Sequence, residues 1–192
     1  MPSNRTRLIL KTAAATLVLA GLAAGVAGFV VLRAGWYDTT ATSQHLQLTY
    51  SVLEQGMRYS VGHHSRDVVV PALGAPQQVA RGAQVYSAQC VQCHGAPGVA
   101  QAKIGQSMQP LPGPLVDASK RWRPRELYWI TRHGIKMSGM PAWEFHLSET
   151  DLWAVVAFMQ VLPAMSAGDY AAATGPRAAP SAAAPAPAQV AR

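Results

Sequence analysis

Cys90-Val91-Gln92-Cys93-His94 contains both cysteines of the 192-residue chain, so the whole thiol inventory sits in one C-x-x-C-H pentapeptide. Two sulfurs at that spacing, followed at once by an imidazole, form the pattern of covalent haem attachment. Each thiol closes a thioether to one edge of the porphyrin, and the next side chain reaches the iron. The rival chemistries lack their parts. A structural zinc site needs four ligands, and this motif supplies three, with no second Cys pair elsewhere. A redox dithiol of the thioredoxin kind sits in a βαβ context, which the flanking sequence does not provide. The pentapeptide therefore predicts one haem c, bonded to Cys90 and Cys93, with His94 as one axial iron ligand.

A second axial ligand is sought downstream, in Lys136-Met137-Ser138-Gly139-Met140-Pro141. A methionine sulfur is soft, favours the reduced iron and raises the reduction potential, which suits electron transfer. Met140 is the expected ligand because Gly139 and Pro141 restrict the backbone on either side of it. Met137 lies nearer the end of the preceding helix and reads as core filler. His133 and His146 are the competing ligands, and a lone histidine is more often simply a polar residue.

Helical patterning surrounds these motifs. Residues 76–86 start with Pro76 at a first-turn position and place Val79, Ala83 and Tyr86 on one face. Gly82 shares that face, as a close helix crossing requires. Residues 124–133 form a second pattern, with Pro124 at the start, Glu126 in the first turn, Leu127 and Ile130 inward and Gly134 as terminator. A third begins at Ser148, with Asp151 three residues on as a near capping box. It carries Leu152, Val155, Val156, Met159 and Leu162 before Pro163. Trp153 and Phe158 are candidates to pack on Tyr86.

Taken together, Gly82-x-x-x-Tyr86-x-x-x-Cys90-x-x-Cys93-His94-Gly95, Gly113-Pro114-Leu115, Gly134 to Pro141 and the Trp-bearing last helix resemble the single-haem class I cytochromes c. The similarity is to the cytochrome c domains of bacterial oxidase and dehydrogenase complexes, over about residues 76 to 163. It implies an all-α fold of three to five helices around a covalent haem with His/Met ligation, and an electron-carrying rather than catalytic role. It also implies that the 76–86 helix crosses the last one, and that a proline carbonyl accepts the proton of the ligating histidine. Pro114 matches that position, with Pro112 as the alternative in Pro110-Leu111-Pro112-Gly113-Pro114.

The remainder of the chain divides by composition. Residues 1–11 are a short basic N-terminus. Residues 12–32 carry no charge, and 21 residues at ~1.5 Å each give ~31 Å, the thickness of a bilayer core. An uncleaved single-span anchor is expected rather than a secretory signal removed to release a periplasmic protein, because Phe29-Val30-Val31-Leu32 continue the apolar run past the small residues Gly25 and Ala27. Arg5, Arg7 and Lys11 precede the span, and only Arg33 follows before Asp38. The positive-inside rule then puts the N-terminus in the cytoplasm of a bacterial inner membrane and the haem domain, 76–164, in the periplasm.

Residues 33–75 form a linker with an amphipathic helix through Leu46, Leu48, Val52, Leu53, Met57 and Val61. That helix is placed equally well on the membrane, on a partner subunit or over the haem domain. His63 and His64 end it without the carboxylates or cysteines a metal site needs. Residues 165–192, rich in Ala and Pro, are expected to be disordered. The net charge of +7 includes a basic run, Lys120-Arg121-Trp122-Arg123-Pro124-Arg125, that suits an acidic protein partner, the haem propionates or a solvated face. Nucleic acid is excluded by the tether. Outer-sphere one-electron transfer to or from a membrane or periplasmic oxidoreductase follows, either as a free carrier or as a fixed subunit of a dehydrogenase or oxidase. A haem-based sensor with an open or labile sixth site is the reading of another class.

Overall fold

The computed structural model describes residues 3–175, so most of the Ala/Pro-rich C-terminal stretch lies outside the described residues. Two compact units divide the chain, residues 1–43 and 44 onward. In the first, helix α1 (Asn4–Arg33) starts at Ser3, whose hydroxyl accepts from Thr6 N at 3.3 Å. It extends past the uncharged 12–32 stretch because the residues on either side, Arg5, Arg7, Lys11 and Arg33 among them, continue the helix. It buries none of its side chains within the protein and is long and apolar enough to cross a membrane.

The second unit is all-helical in its described residues: α2 (Gln47–His64), α3 (Pro76–Val85), α4 (Val91–His94), α5 (Lys103–Gln106), α6 (Ala118–Arg121), α7 (Pro124–His133), α8 (Glu149–Val161) and α9 (Ala167–Thr174). Its centre is the crossing of α3 and α8. Gly82 on α3 lies so close to the Ala154 carbonyl on α8 that no Cβ fits between them. Beside that contact Tyr86 and Phe158 meet at 5.3 Å between ring centroids. Each such fully buried large side chain contributes about 1.5–3 kcal/mol through the surface removed from water. At the rim, Arg81 donates to both Asp151 carboxylate oxygens, at 2.6 and 3.0 Å. Asp151 is thus spent on α3 rather than completing the expected capping box, of which only the Ser148 half forms.

The apolar stripe read on α8 is too narrow. Every residue from Leu152 to Met159 is buried, because α8 is flanked on more than one side. Trp153 turns away from Tyr86 and stacks on Tyr128 of α7, 4.0 Å between centroids and 9° between planes. On another side stands α9, whose Tyr170 is buried 6.3 Å from both Tyr86 and Phe158. The domain boundary at 164 is accordingly drawn too early. Ser166 caps α9 through a reciprocal bond with Asp169, and the helix supplies a core aromatic where disorder is expected.

The amphipathic helix of the linker is α2, and its last two turns pack on the rest of this unit. Val61 and Ser65 are buried, His64 stacks on Trp129 of α7, and Arg58 lies over Trp122. Leu48, Val52 and Tyr59 of the same helix are exposed.

Candidate functional site

The C-x-x-C-H pentapeptide ends a continuous helical run that begins at Pro76. Between α3 and α4 the backbone widens into a π-helical turn, Tyr86–Cys90, closed by Val91 N to Tyr86 O. One extra residue in a turn resets the helical phase. Tyr86 keeps the α3 phase and enters the core, while Cys90, Cys93 and His94 follow the new one. Tyr86 ties the two segments together by donating its buried hydroxyl to Gly95 O at 2.7 Å. Gly95, at φ +66°, then terminates α4 in a conformation disfavoured for residues with a Cβ.

His94 Nδ1 donates to the Gly113 carbonyl at 2.7 Å. This corrects the expectation for Pro114 and for its alternative Pro112. Leu111 and Gly113 both precede prolines, which holds the backbone extended and turns each carbonyl away from the one before. Three successive carbonyls therefore serve three partners: Pro112 O accepts from Gln101 at 2.6 Å, Gly113 O from His94, and Pro114 O from Arg121 at 3.0 Å. Burial pulls the His94 pKa down, against the smaller opposing effect of the Gly113 bond. The ring is thus kept neutral with Nδ1 occupied, and Nε2 is the nitrogen left to bind a metal.

Around the pentapeptide the backbone is clamped by residues that sequence reasoning missed. Gln101 also donates to Cys93 O at 2.7 Å, and Ala102 N to Gln92 O at 2.9 Å. A Cβ on Gly105 would stand 2.8 Å from both Cys93 Cα and Gln92 O, so α5 rests directly on α4. A glycine inside the short K-I-G-Q-S-M stretch was the only signal for this approach.

Met140 lies in the loop after α7, half-buried. Gly134 opens that loop at φ +67°, with the Met140 and Pro141 backbone within 2.7 Å of where its Cβ would stand. Inside the loop Ile135 N donates to Met140 O at 3.3 Å, Ser138 Oγ to Ile135 O at 2.7 Å, and Met140 N to Ser138 Oγ at 3.2 Å. Its ends are joined by Glu144, which accepts from Arg132 at 3.1 Å and His133 at 3.2 Å. The Arg132 bond is the main reason the Glu144 carboxyl is held below its ordinary range. Met137 points into solvent at 67% exposure, at φ +61°. His133 is engaged with Glu144, and the His146 ring sits 5.9 Å from that of Trp143. The basic run is largely spent internally: Lys120 pairs with Asp117 at 2.7 Å, Arg121 serves Pro114, and Arg125 reaches Arg66 O at 3.4 Å.

The donor set fits a haem c. Both thiols and the oriented imidazole belong to one helical run, and a thioether is carried by a restrained loop. It does not fit the alternatives. Burial pushes the Cys90 thiol up to about 12, whereas a redox dithiol works as a thiolate. Among the described residues no group of three or more His, Cys, Asp or Glu side chains could hold a zinc ion.

An all-helical unit carrying these groups is a class I cytochrome c domain, a haem-based electron-transfer module. Residues 77–159 match the family model described as cytochrome c oxidase, cbb3-type, subunit III. Comparison with curated proteins and with solved structures gives no match.

Proposed function

We propose that the protein is a membrane-anchored one-electron carrier working in an oxidase-type complex, with a single haem c held by Cys90, Cys93, His94 and Met140. The observation that carries this reading is the His94–Gly113 bond. It fixes the tautomer, directs Nε2 outward and raises the basicity of the ring, all at the end of the helical run that carries both thiols. Bound there, haem c supplies reversible exchange of one electron between ferric and ferrous iron. Gly113 and Gln101 orient the imidazole and the backbone beside it. The Gly134–Pro141 loop would present the Met140 sulfur to a bound haem, and with His94 and Met140 both serving as donors the site would take up no small molecule. Nothing in this chemistry calls for a general base or nucleophile, so substrate turnover belongs to the partner.

The similarity of residues 77–159 to that oxidase-subunit family supports an oxidase as that partner. In this reading α1 is an uncleaved span, with residues 1–11 cytoplasmic and the haem domain periplasmic. The tether raises the effective concentration of the domain near a membrane oxidoreductase.

The full chain in its oxidised state is expected to show the weak near-infrared sulfur-to-iron band of His/Met haem, to resist carbon monoxide when reduced, and to keep its pigment in acidified acetone. Met140→Ala should abolish the band and lower the potential, while Met137→Ala changes neither. Pigment leaving the chain would remove the covalent attachment from the account. Loss of the band in Met137→Ala would move the ligand to Met137, and carbon monoxide binding by the parent chain would favour a sensor.

A further inference from the structure

We propose that Met108 is a positioning residue for the sixth iron ligand, bracing the Met140 loop against the helix that carries Cys93 and His94. This rests on the Met140 reading above. The segment from Gln101 to Met108 is fastened at one end to the attachment helix. Gln101 bonds to Cys93 O and Pro112 O, Ala102 N to Gln92 O, and Gly105 abuts the Cys93 backbone without room for a Cβ. One turn beyond Gly105, Met108 N donates to Gly105 O at 3.3 Å, which fixes where its side chain starts.

That side chain ends on the distal loop. A Cβ on Gly139 would stand 2.6 Å from Met108 Sδ, 3.2 Å from Cε and 3.3 Å from Cγ, so three atoms of the thioether lie against bare backbone. Gly139 immediately precedes Met140. The loop's internal bonds described above run between Ile135, Ser138 and Met140, and Gly139 takes part in none of them. Met108 is thus the side chain packed on the peptide that aims the ligand. An unbranched, polarisable chain fits a glycine backbone where a β-branched one would collide. Because Gly105 and Met108 are three residues apart, one short strut joins the carriers of both axial ligands.

The test uses the haem-loaded full chain and two readouts, the ferric near-infrared band and carbon monoxide binding to the reduced protein. Met108→Ala should weaken the band and speed carbon monoxide binding by about tenfold, as expected when the population of opened loop rises. Met108→Leu, which keeps the volume, should stay near the parent. Val156→Ala, a core truncation away from the loop, should lower the melting temperature without changing gas binding. If Met108→Ala behaves like Val156→Ala, Met108 is filler and the inference falls while the Met140 assignment stands. If Met108→Ala abolishes the band and Met140→Ala preserves it, Met108 is itself the ligand and both readings fall. Should Met108→Ala not fold, Gly139→Ala probes the same contact from the loop side, with the same gain in gas binding expected and an unchanged rate overturning the proposal.

Discussion

The two sides of the site are built by different means. Around Cys93 and His94 the backbone is pinned by residues outside the attachment helix: Gln101 on two carbonyls, Tyr86 on Gly95, and Gly105 against the helix itself. Around Met140 the restraint comes from the loop itself and its two ends, a turn held by Gly134, Ser138 and the Glu144 clamp, with Met108 as its link to the other side. In the proposed haem reading, the difference follows from what each side would have to do. Covalent attachment requires two sulfurs and an imidazole in one fixed array, and any slack there is multiplied over three bonds. A thioether ligand is a single weak bond, for which a loop that opens locally at a small free-energy cost is sufficient.

This contrast can be broken from the attachment side with the largest effect. Gly105→Val would drive a branched side chain into backbone atoms of Gln92 and Cys93, which have no rotamer by which to yield. We expect a loss of about 3 kcal/mol or more and poor haem incorporation, read by denaturant unfolding and haem-stained gels. Gln101→Leu comes next: it strands the Cys93 and Pro112 carbonyls and should cost about 1–3 kcal/mol, with the near-infrared band intact. Ser138→Ala removes two bonds from the distal loop and should cost only about 1 kcal/mol, yet it should speed carbon monoxide binding where Gln101→Leu does not. Equal gas binding in the two variants would erase the division between the sides.

How much of this was legible in the chain depends on range. The pentapeptide, the Pro124 and Gly134 ends of α7, and Gly82 as a crossing point are local signals, because each requires a residue type at a fixed place along one helix. The acceptor for His94 was misplaced by one residue, since carbonyl direction is a property of backbone torsions that the names Pro112, Gly113 and Pro114 do not reveal. The helix α9 was hidden because Ala171, Ala172 and Ala173 look like the tail that follows, and a single buried residue, Tyr170, makes it part of the core. Gly105 and Met108 make contacts across the fold, and no periodicity announces those.

Acid sharpens the comparison in a smaller way. The Arg81 hydrogen bond is the chief cause that holds the Asp151 carboxyl below its ordinary range, and this pair joins α3 to α8. A depressed native value contributes stability that is present above the unfolded carboxylate pKa and is lost as pH falls through the lower native one. Because Arg81 is largely exposed, the pair should contribute no more than about 1 kcal/mol. Asp151→Asn should therefore cost that amount at neutral pH and converge with the parent in acid, while leaving the ligand band alone.

The smallest effect isolates the outer face of the distal loop. Met137 holds a left-handed conformation, φ +61°, with its side chain 67% exposed, so it carries backbone strain without evident packing in return. Glycine removes the steric cost of about 1–2 kcal/mol, and gives back about 0.5–1 kcal/mol through the freer unfolded chain. Met137→Gly should then stabilise by about 0.5 kcal/mol, seen as a higher denaturant midpoint at constant slope, with potential and gas binding unchanged. A destabilisation instead would mean that the Met137 side chain restrains the loop from outside. The distal side would then be braced on both faces, by Met137 as well as by Met108, and the contrast with the attachment side would narrow.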